Sequence, residues 1–263
     1  MKVFKKNWLW LFLIFDVFLA ILAFQLYSPS DAQGDDKPPL HKVADKEIKA
    51  VTAKPSQDSP DKKKTKVKKQ KVLIDAPQVM QNPELARGCE VTSLDMMLQD
   101  AGVDVDKMTL ANKIKKVPFK KNGVRGNPND GFVGNMATFS ESGLGVYHGP
   151  LADLAEKYLP NRIIDMTGQS FDSVIDQLKK GIPVVVITNY TFKPIPESHF
   201  RTWHTASGDV KVTYDQHAVL ITGFDDDSIY FNNPLGGKNV KTDRNEFVEA
   251  WKQLGKQAIS YRK

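Results

Sequence analysis

The amino-acid order predicts an α+β domain, and three observations carry that prediction. From residue 72 onward, apolar residues at helical spacing dominate the first half of the chain. Runs of β-branched residues dominate the second half, and the two patterns do not alternate regularly. The region 72–263 also holds 22 basic and 23 acidic side chains, so it is close to neutral although the 263-residue chain has a formal charge of +6. A nucleic-acid-binding domain would carry a basic face of its own, so no nucleic-acid partner is expected.

The excess charge lies at the amino end. Lys2, Lys5 and Lys6 precede an apolar run from Trp8 to Tyr27 that is interrupted by Asp16. A basic flank before roughly 20 apolar residues reads as a membrane anchor over 1–27, or as a signal peptide. The basic end would stay in the cytoplasm. Asp16 at mid-span needs a partner or a proton. The expected location is the cell membrane with the following domain extracellular, or secretion if residues 1–32 are removed. Residues 28–71 hold 12 lysines against 7 acids, with frequent Pro and Ser and few aromatics. They read as a disordered linker. Its basic run, Asp61 to Lys71, reads as a self-repelling spacer, with contact to an anionic cell-surface polymer or lipid headgroups as the sharper alternative.

Within 72–263 the elements follow in order. Val72-Leu73-Ile74 reads as a short strand. Leu94, Met97, Leu98 and Ala101 fall at i, i+3, i+4 and i+7, which predicts one face of a helix framed by Gly88 and Gly102. A second helix is expected around Leu110–Ile114. Residues 118–150 are rich in glycine and read as a long ordered loop, of the kind that lines sites. Leu151, Leu154, Ala155, Tyr158 and Leu159 predict another helix. Ser170 reads as the cap of a helix carrying Phe171, Val174, Ile175 and Leu178, ended by Gly181. Pro183 to Ile187 and Val210 to Val212 read as strands, and the segment holding His199 and His204 as loop. His217–Phe224 and Ser228–Asn232 read as a hairpin turning through Asp225-Asp226-Asp227. Asp243 and Glu246 form a capping-box pattern before Phe247, Val248, Trp251 and Leu254. Ala258–Tyr261 reads as an edge strand.

Cys89 is the sole cysteine, which excludes an internal disulfide framework and any multi-cysteine zinc site. It falls in the first turn of its expected helix, where free backbone N–H groups and the positive end of the dipole favour a thiolate. Glu90 opposes that. His217 opens a strand, a rigid mount for a base. Asn233 follows the returning strand, so the hairpin places it beside His217, where it can fix the imidazole tautomer and leave the other nitrogen for Cys89. Gln81, with the Cys89 backbone N–H, can donate to a developing oxyanion.

With Gln81, Gly88-Cys89-Glu90-Val91-Thr92-Ser93-Leu94, His217-Ala218-Val219 and Asn232-Asn233-Pro234 in this order, the chain resembles the bacteriocin-processing-peptidase-like cysteine peptidases of the papain superfamily. It is most similar to their stand-alone secreted branch, common in Gram-positive bacteria. Gly131-Phe132-Val133-Gly134, Val146-Tyr147-His148-Gly149-Pro150 and Gly255 to Tyr261 extend the likeness over 72–263. The resemblance implies a papain-like fold, a helical half bearing the cysteine and a β half bearing the histidine. It implies Cys89 as nucleophile, His217 as base, Asn233 as orienter and Gln81 as oxyanion donor. The family often has Asp before the proline where this chain has Asn233, which orients an imidazole but stabilises imidazolium less. The Gln81 to Cys89 gap also exceeds that in papain.

The resulting expectation is an exported, membrane-tethered cysteine peptidase acting on a peptide or protein substrate, without a cofactor or metal. An amidase or acyltransferase would use the same triad. A degenerate, non-catalytic surface-binding module would keep the fold without turnover. His199 and His204 are read as surface or structural residues, His148 as a turn residue, and His41 as idle in the linker. Asp225 to Asp227 is read as a solvated turn rather than a calcium loop. Trp203 is read equally as substrate platform or covering residue.

Overall fold

The computed structural model describes residues 70–263. The anchor expected over 1–27 and nearly all of the linker over 28–71, with His41, lie outside the described residues. The order is β1 (Val72–Leu73), α1 (Cys89–Asp100), α2 (Lys107–Lys113), β2 (Lys116–Val117), β3 (Lys120–Lys121), β4 (Val124–Arg125), β5 (Phe132–Val133) and α3 (His148–Glu156). It continues with β6 (Ile163–Asp165), α4 (Phe171–Lys179), β7 (Val184–Asn189), β8 (Phe200–Thr205), β9 (Gly208–Thr213) and β10 (Gln216–Phe224). The last elements are β11 (Ser228–Asn232), β12 (Val240–Asp243), α5 (Arg244–Gln253) and β13 (Ala258–Tyr261).

The main sheet runs β12-β11-β10-β7-β13-β6, all antiparallel, with β1 paired to β10 at Gly223 and Phe224. Its two faces are both covered, which explains why all six residues of β7 are buried. Val185, Leu220 and Ile259 face one apolar cluster with α1, α2 and α3. Val184, Val186, Val219, Ile221 and Ala258 alternate to the other face, against α4 and α5. A third cluster gathers Cys89, Val133, Tyr147, Trp203, Val210, Val212 and Ala218 beneath the small sheet β3-β4-β8-β9.

Helix α1 is not amphipathic: Cys89 through Leu98 are all buried, so it runs through the interior rather than along a surface. Gly102 ends it with φ +84°. Ser170 stands at the cap position of α4 without a side-chain cap bond; its hydroxyl turns to Asp172. Asp243 does cap α5, accepting from the Glu246 N–H at 2.9 Å, while the Glu246 carboxylate pairs with Lys193 instead of returning to the cap.

Two readings of the sequence are corrected. The segment containing His204 is strand β8, not loop: Phe200 to Thr205 pairs residue by residue with β9. Strand β13 is not an edge; it lies between β7 and β6 and all four of its residues are buried. The glycine-rich stretch is ordered by very short strands. One is a hairpin turned at Asn122 and Gly123, with φ of +52° and +83°, the left-handed pair that Asn-Gly adopts at low cost.

Candidate active site

Cys89 is the first residue of α1, with Gly88 at the cap position. The helix crosses to β10, where Cys89 packs in one cluster with Ala218, the residue after His217. The cysteine is therefore brought to the strand that carries the histidine. Its side chain is 7% exposed, and its S–H donates to Glu90 Oε2 at 3.3 Å. Burial first, and then the Glu90 charge, push the thiol well above its ordinary pKa; the N–H groups of Ala218 and of Cys89 itself pull down but do not win. The thiolate that the helix N-terminus would favour is overridden. The resting group is a thiol.

His217 is 3% exposed and sits opposite Thr188 of β7. Burial lowers its pKa to about 4, against the opposing effect of Asn233. At neutral pH the ring is uncharged. Its Nε2–H donates to Asn233 Oδ1 at 2.9 Å, so the carbonyl of Asn233 selects the Nε2–H tautomer and leaves Nδ1 with a free lone pair. Asn233 is itself fixed: its Oδ1 also accepts the Leu235 N–H at 3.0 Å, and its backbone oxygen accepts Gln78 Nε2 at 2.8 Å. Phe192 packs on the imidazole with centroids 6.0 Å apart and on Phe231 at 4.5 Å. Its φ of +57° is unusual for a bulky residue and turns the ring over the histidine.

Gln81 is 3% exposed and lies in the turn that delivers Gly88 and Cys89. Its amide nitrogen donates to the carbonyls of Leu85 at 3.0 Å and Ala86 at 3.1 Å, and its backbone N–H donates to Pro234. The side chain thus braces the approach to α1 from within. Gln78, Phe192 and Gln216 went unread in the sequence. Their partners lie far along the chain: Gln78 reaches Asn233, and Gln216 reaches Glu90. No local pattern marks such contacts.

The remaining candidates separate from this group. His199 pairs with Asp215, His204 with Asp209 at 2.7 Å, and His148 with Asp165. Each imidazole has its own carboxylate, and His199 and His204 do not share one. Asp225 accepts from Tyr230 OH at 2.8 Å and from the Asp227 N–H at 3.0 Å, which closes the hairpin turn. Trp203 is buried, edge-on to Phe119 at 5.5 Å with Arg125 over its ring; it covers the cluster that holds Cys89.

Comparison with known proteins bears on the family and the fold. A model of the Peptidase_C39 like family matches residues 73–259. The chain is 49% identical over 185 residues to the uncharacterized protein YvpB of Bacillus subtilis (strain 168), covering 70% of this chain and 72% of that one. A crystal structure from Bacillus anthracis, named provisionally as a C39-like peptidase, superposes with a TM-score of 0.73 at 57% identity, covering 74% of this chain and 98% of that one.

Proposed function

The chain belongs to the Peptidase_C39 like family, and from that premise we propose that it is a thiol peptidase working through Cys89, His217 and Asn233. The fold is the α+β, papain-like one expected of the family. The observation that carries the proposal is the His217 Nε2–H to Asn233 bond at 2.9 Å, on the strand whose Ala218 packs in one cluster with Cys89. It leaves Nδ1 as the open base. In the reaction, Cys89 sulphur bonds the substrate carbonyl carbon as its proton passes to Nδ1. The proton then moves to the leaving amine as the C–N bond breaks, and water, deprotonated by the same nitrogen, hydrolyses the thioester. Because thiol and imidazole rest uncharged, proton transfer accompanies attack rather than preceding it. The Cys89 backbone N–H is the proposed oxyanion donor. Gln81 would join it only by turning from the Leu85 and Ala86 carbonyls.

The same geometry serves an amidase or acyltransferase, which differs only in the acceptor of the acyl group. The buried, protonated thiol is the observation that favours a non-catalytic module. Covalent capture decides between them. A peptide aldehyde should add to the wild-type protein, by mass, and not to Cys89→Ala; absence of any adduct on folded wild type favours the module. We also propose export and tethering, supported by the basic flank and apolar run at 2–27 and the lysine-rich linker. Protease shaving of intact cells should remove the domain while leaving cytoplasmic proteins whole; a domain protected until lysis contradicts this.

A further inference from the structure

The residue after the nucleophile carries a carboxyl that the mechanism above does not use. Glu90 is 1% exposed. Three groups offer it a hydrogen: the Cys89 S–H at 3.3 Å to Oε2, the Val146 backbone N–H at 3.1 Å to Oε1, and the Gln216 amide at 2.7 Å to Oε1. They come from α1, from the stretch after β5 and from β10. Gly145 makes the approach feasible, because a Cβ there would lie 2.3 Å from Glu90 Oε1 and 2.5 Å from Gln216 Nε2. A buried carboxyl is costly unless donors surround it. Three converging donors and a glycine that clears their space make this a built contact.

A thiol has one proton. While it is directed at Glu90 Oε2 it is not directed at His217 Nδ1, where general-base transfer needs it. We propose that Glu90 is a positioning residue that parks the Cys89 proton away from His217 and holds the nucleophile unreactive until bound substrate displaces that contact. The proposal rests on the reading of Cys89 as nucleophile. The proton balance is direct. Burial raises the Glu90 pKa, and the backbone N–H groups, Cys89 S–H and Gln216 amide oppose it by favouring the carboxylate. At rest the S–H bonds that carboxylate; on activation the S–H turns, its proton passes to Nδ1 as the S–C bond forms, and Glu90 keeps its two N–H donors. Around this carboxyl, the Cys89 thiol and the Tyr147 phenol after β5 both feel its charge. On β10, Gln216 is neutral, and His217 takes its shift from burial and Asn233.

The test is iodoacetamide labelling of the full-length protein as a function of pH, for wild type, Glu90→Gln and Gln216→Met. Cys89 is the sole cysteine, so label incorporation reports it directly. In Glu90→Gln, the side-chain oxygen keeps Val146 and Gln216, and the new NH2 donates to sulphur in place of accepting from it. The labelling midpoint should fall by about one pH unit or more. The rate at neutral pH should rise about threefold to tenfold, the lower figure because a less basic thiolate is a weaker nucleophile. Gln216→Met removes one donor from the carboxylate, leaves it a stronger acceptor for the S–H and should move the midpoint upward by less. A Glu90 that merely holds the fold together would lower the melting temperature and leave the midpoint of the folded protein in place. That result, or an upward shift in Glu90→Gln, overturns the proposal. Should Glu90→Gln fail to fold, Gln216→Met decides: an upward shift upholds the proposal, and an unmoved or lowered midpoint overturns it. Peptide cleavage is not read in this experiment, so a shifted midpoint in a protein that never cleaves a peptide upholds this inference while the proposed function fails.

Discussion

At His217 burial and one hydrogen bond act in opposite directions, and burial wins, leaving a base with a pKa of about 4. The consequence for rate is specific. Loss of turnover on acidification should follow protonation of this ring, so the acid limb of kcat/KM should lie near pH 4 and not near the 6.5 of an ordinary histidine. Asn233→Asp puts a carboxylate on Nε2–H and should move that limb upward. Asn233→Ala should lower kcat about tenfold or more by freeing the tautomer. A limb that stays in place in Asn233→Asp would show that residue 233 does not orient the base. At this scale the sequence was informative: a lone cysteine at a helix start, a histidine opening a strand and an Asn-Pro closing the hairpin all have local signatures. The protonation state was not legible, because it depends on how many atoms of distant segments surround each group.

The elements place those side chains, and their errors of reading share a cause. The apolar face of α1 predicted its position but not that Glu90, Thr92, Ser93 and Asp95 on its other sides are buried as well. Burial on every side comes from β7, β10, α2 and α3, which no period within α1 encodes. Strand β13 looked like an edge because it ends the chain, whereas β6, a three-residue strand, closes the sheet outside it. Strand β8 is exposed or half-buried except at Trp203; its apolar residues, Phe200 and Trp203, fall three apart and give no period-2 signal, whereas the Asn122-Gly123 turn was present to be read. Gly145→Ala tests how tightly the loop after β5 grips α1. The added Cβ should displace the Glu90 carboxyl and cost about 1–3 kcal/mol, read as a lower denaturant midpoint with an unchanged slope; an unaffected midpoint would mean that the loop gives way freely. Trp251→Ala on α5 removes a fully buried ring whose Nε1–H bonds the Gln257 carbonyl at 2.9 Å. It should cost about 3–5 kcal/mol.

For the whole molecule, the two apolar clusters on either face of one sheet fix a single arrangement, and the third cluster beneath the small sheet encloses the cysteine. One buried base and one buried acid then make stability depend on pH with opposite signs. His217, lowered from 6.5 to about 4 by burial, contributes stability that is complete above pH 6.5 and lost as pH falls toward 4. Asp95, raised by burial from 3.8 to about 6, contributes stability that is present below 3.8 and lost as pH rises through 6. Between about pH 4 and 6 they offset each other. Replacing His217 with Asn should therefore flatten the fall in melting temperature on acidification from pH 7 to 4; an equally steep fall would place the acid sensitivity elsewhere. The α+β class and the strand-rich second half could be seen in the chain's apolar patterns, while the packing of α1 through the middle could not.

The most direct test of the account is a comparison of the peptides released from extracellular proteins by wild type, Cys89→Ala and His217→Ala. The account predicts a defined set of new peptide termini with wild type and none with either variant, all three proteins melting cooperatively. The same termini from Cys89→Ala, or none from folded wild type, would contradict it.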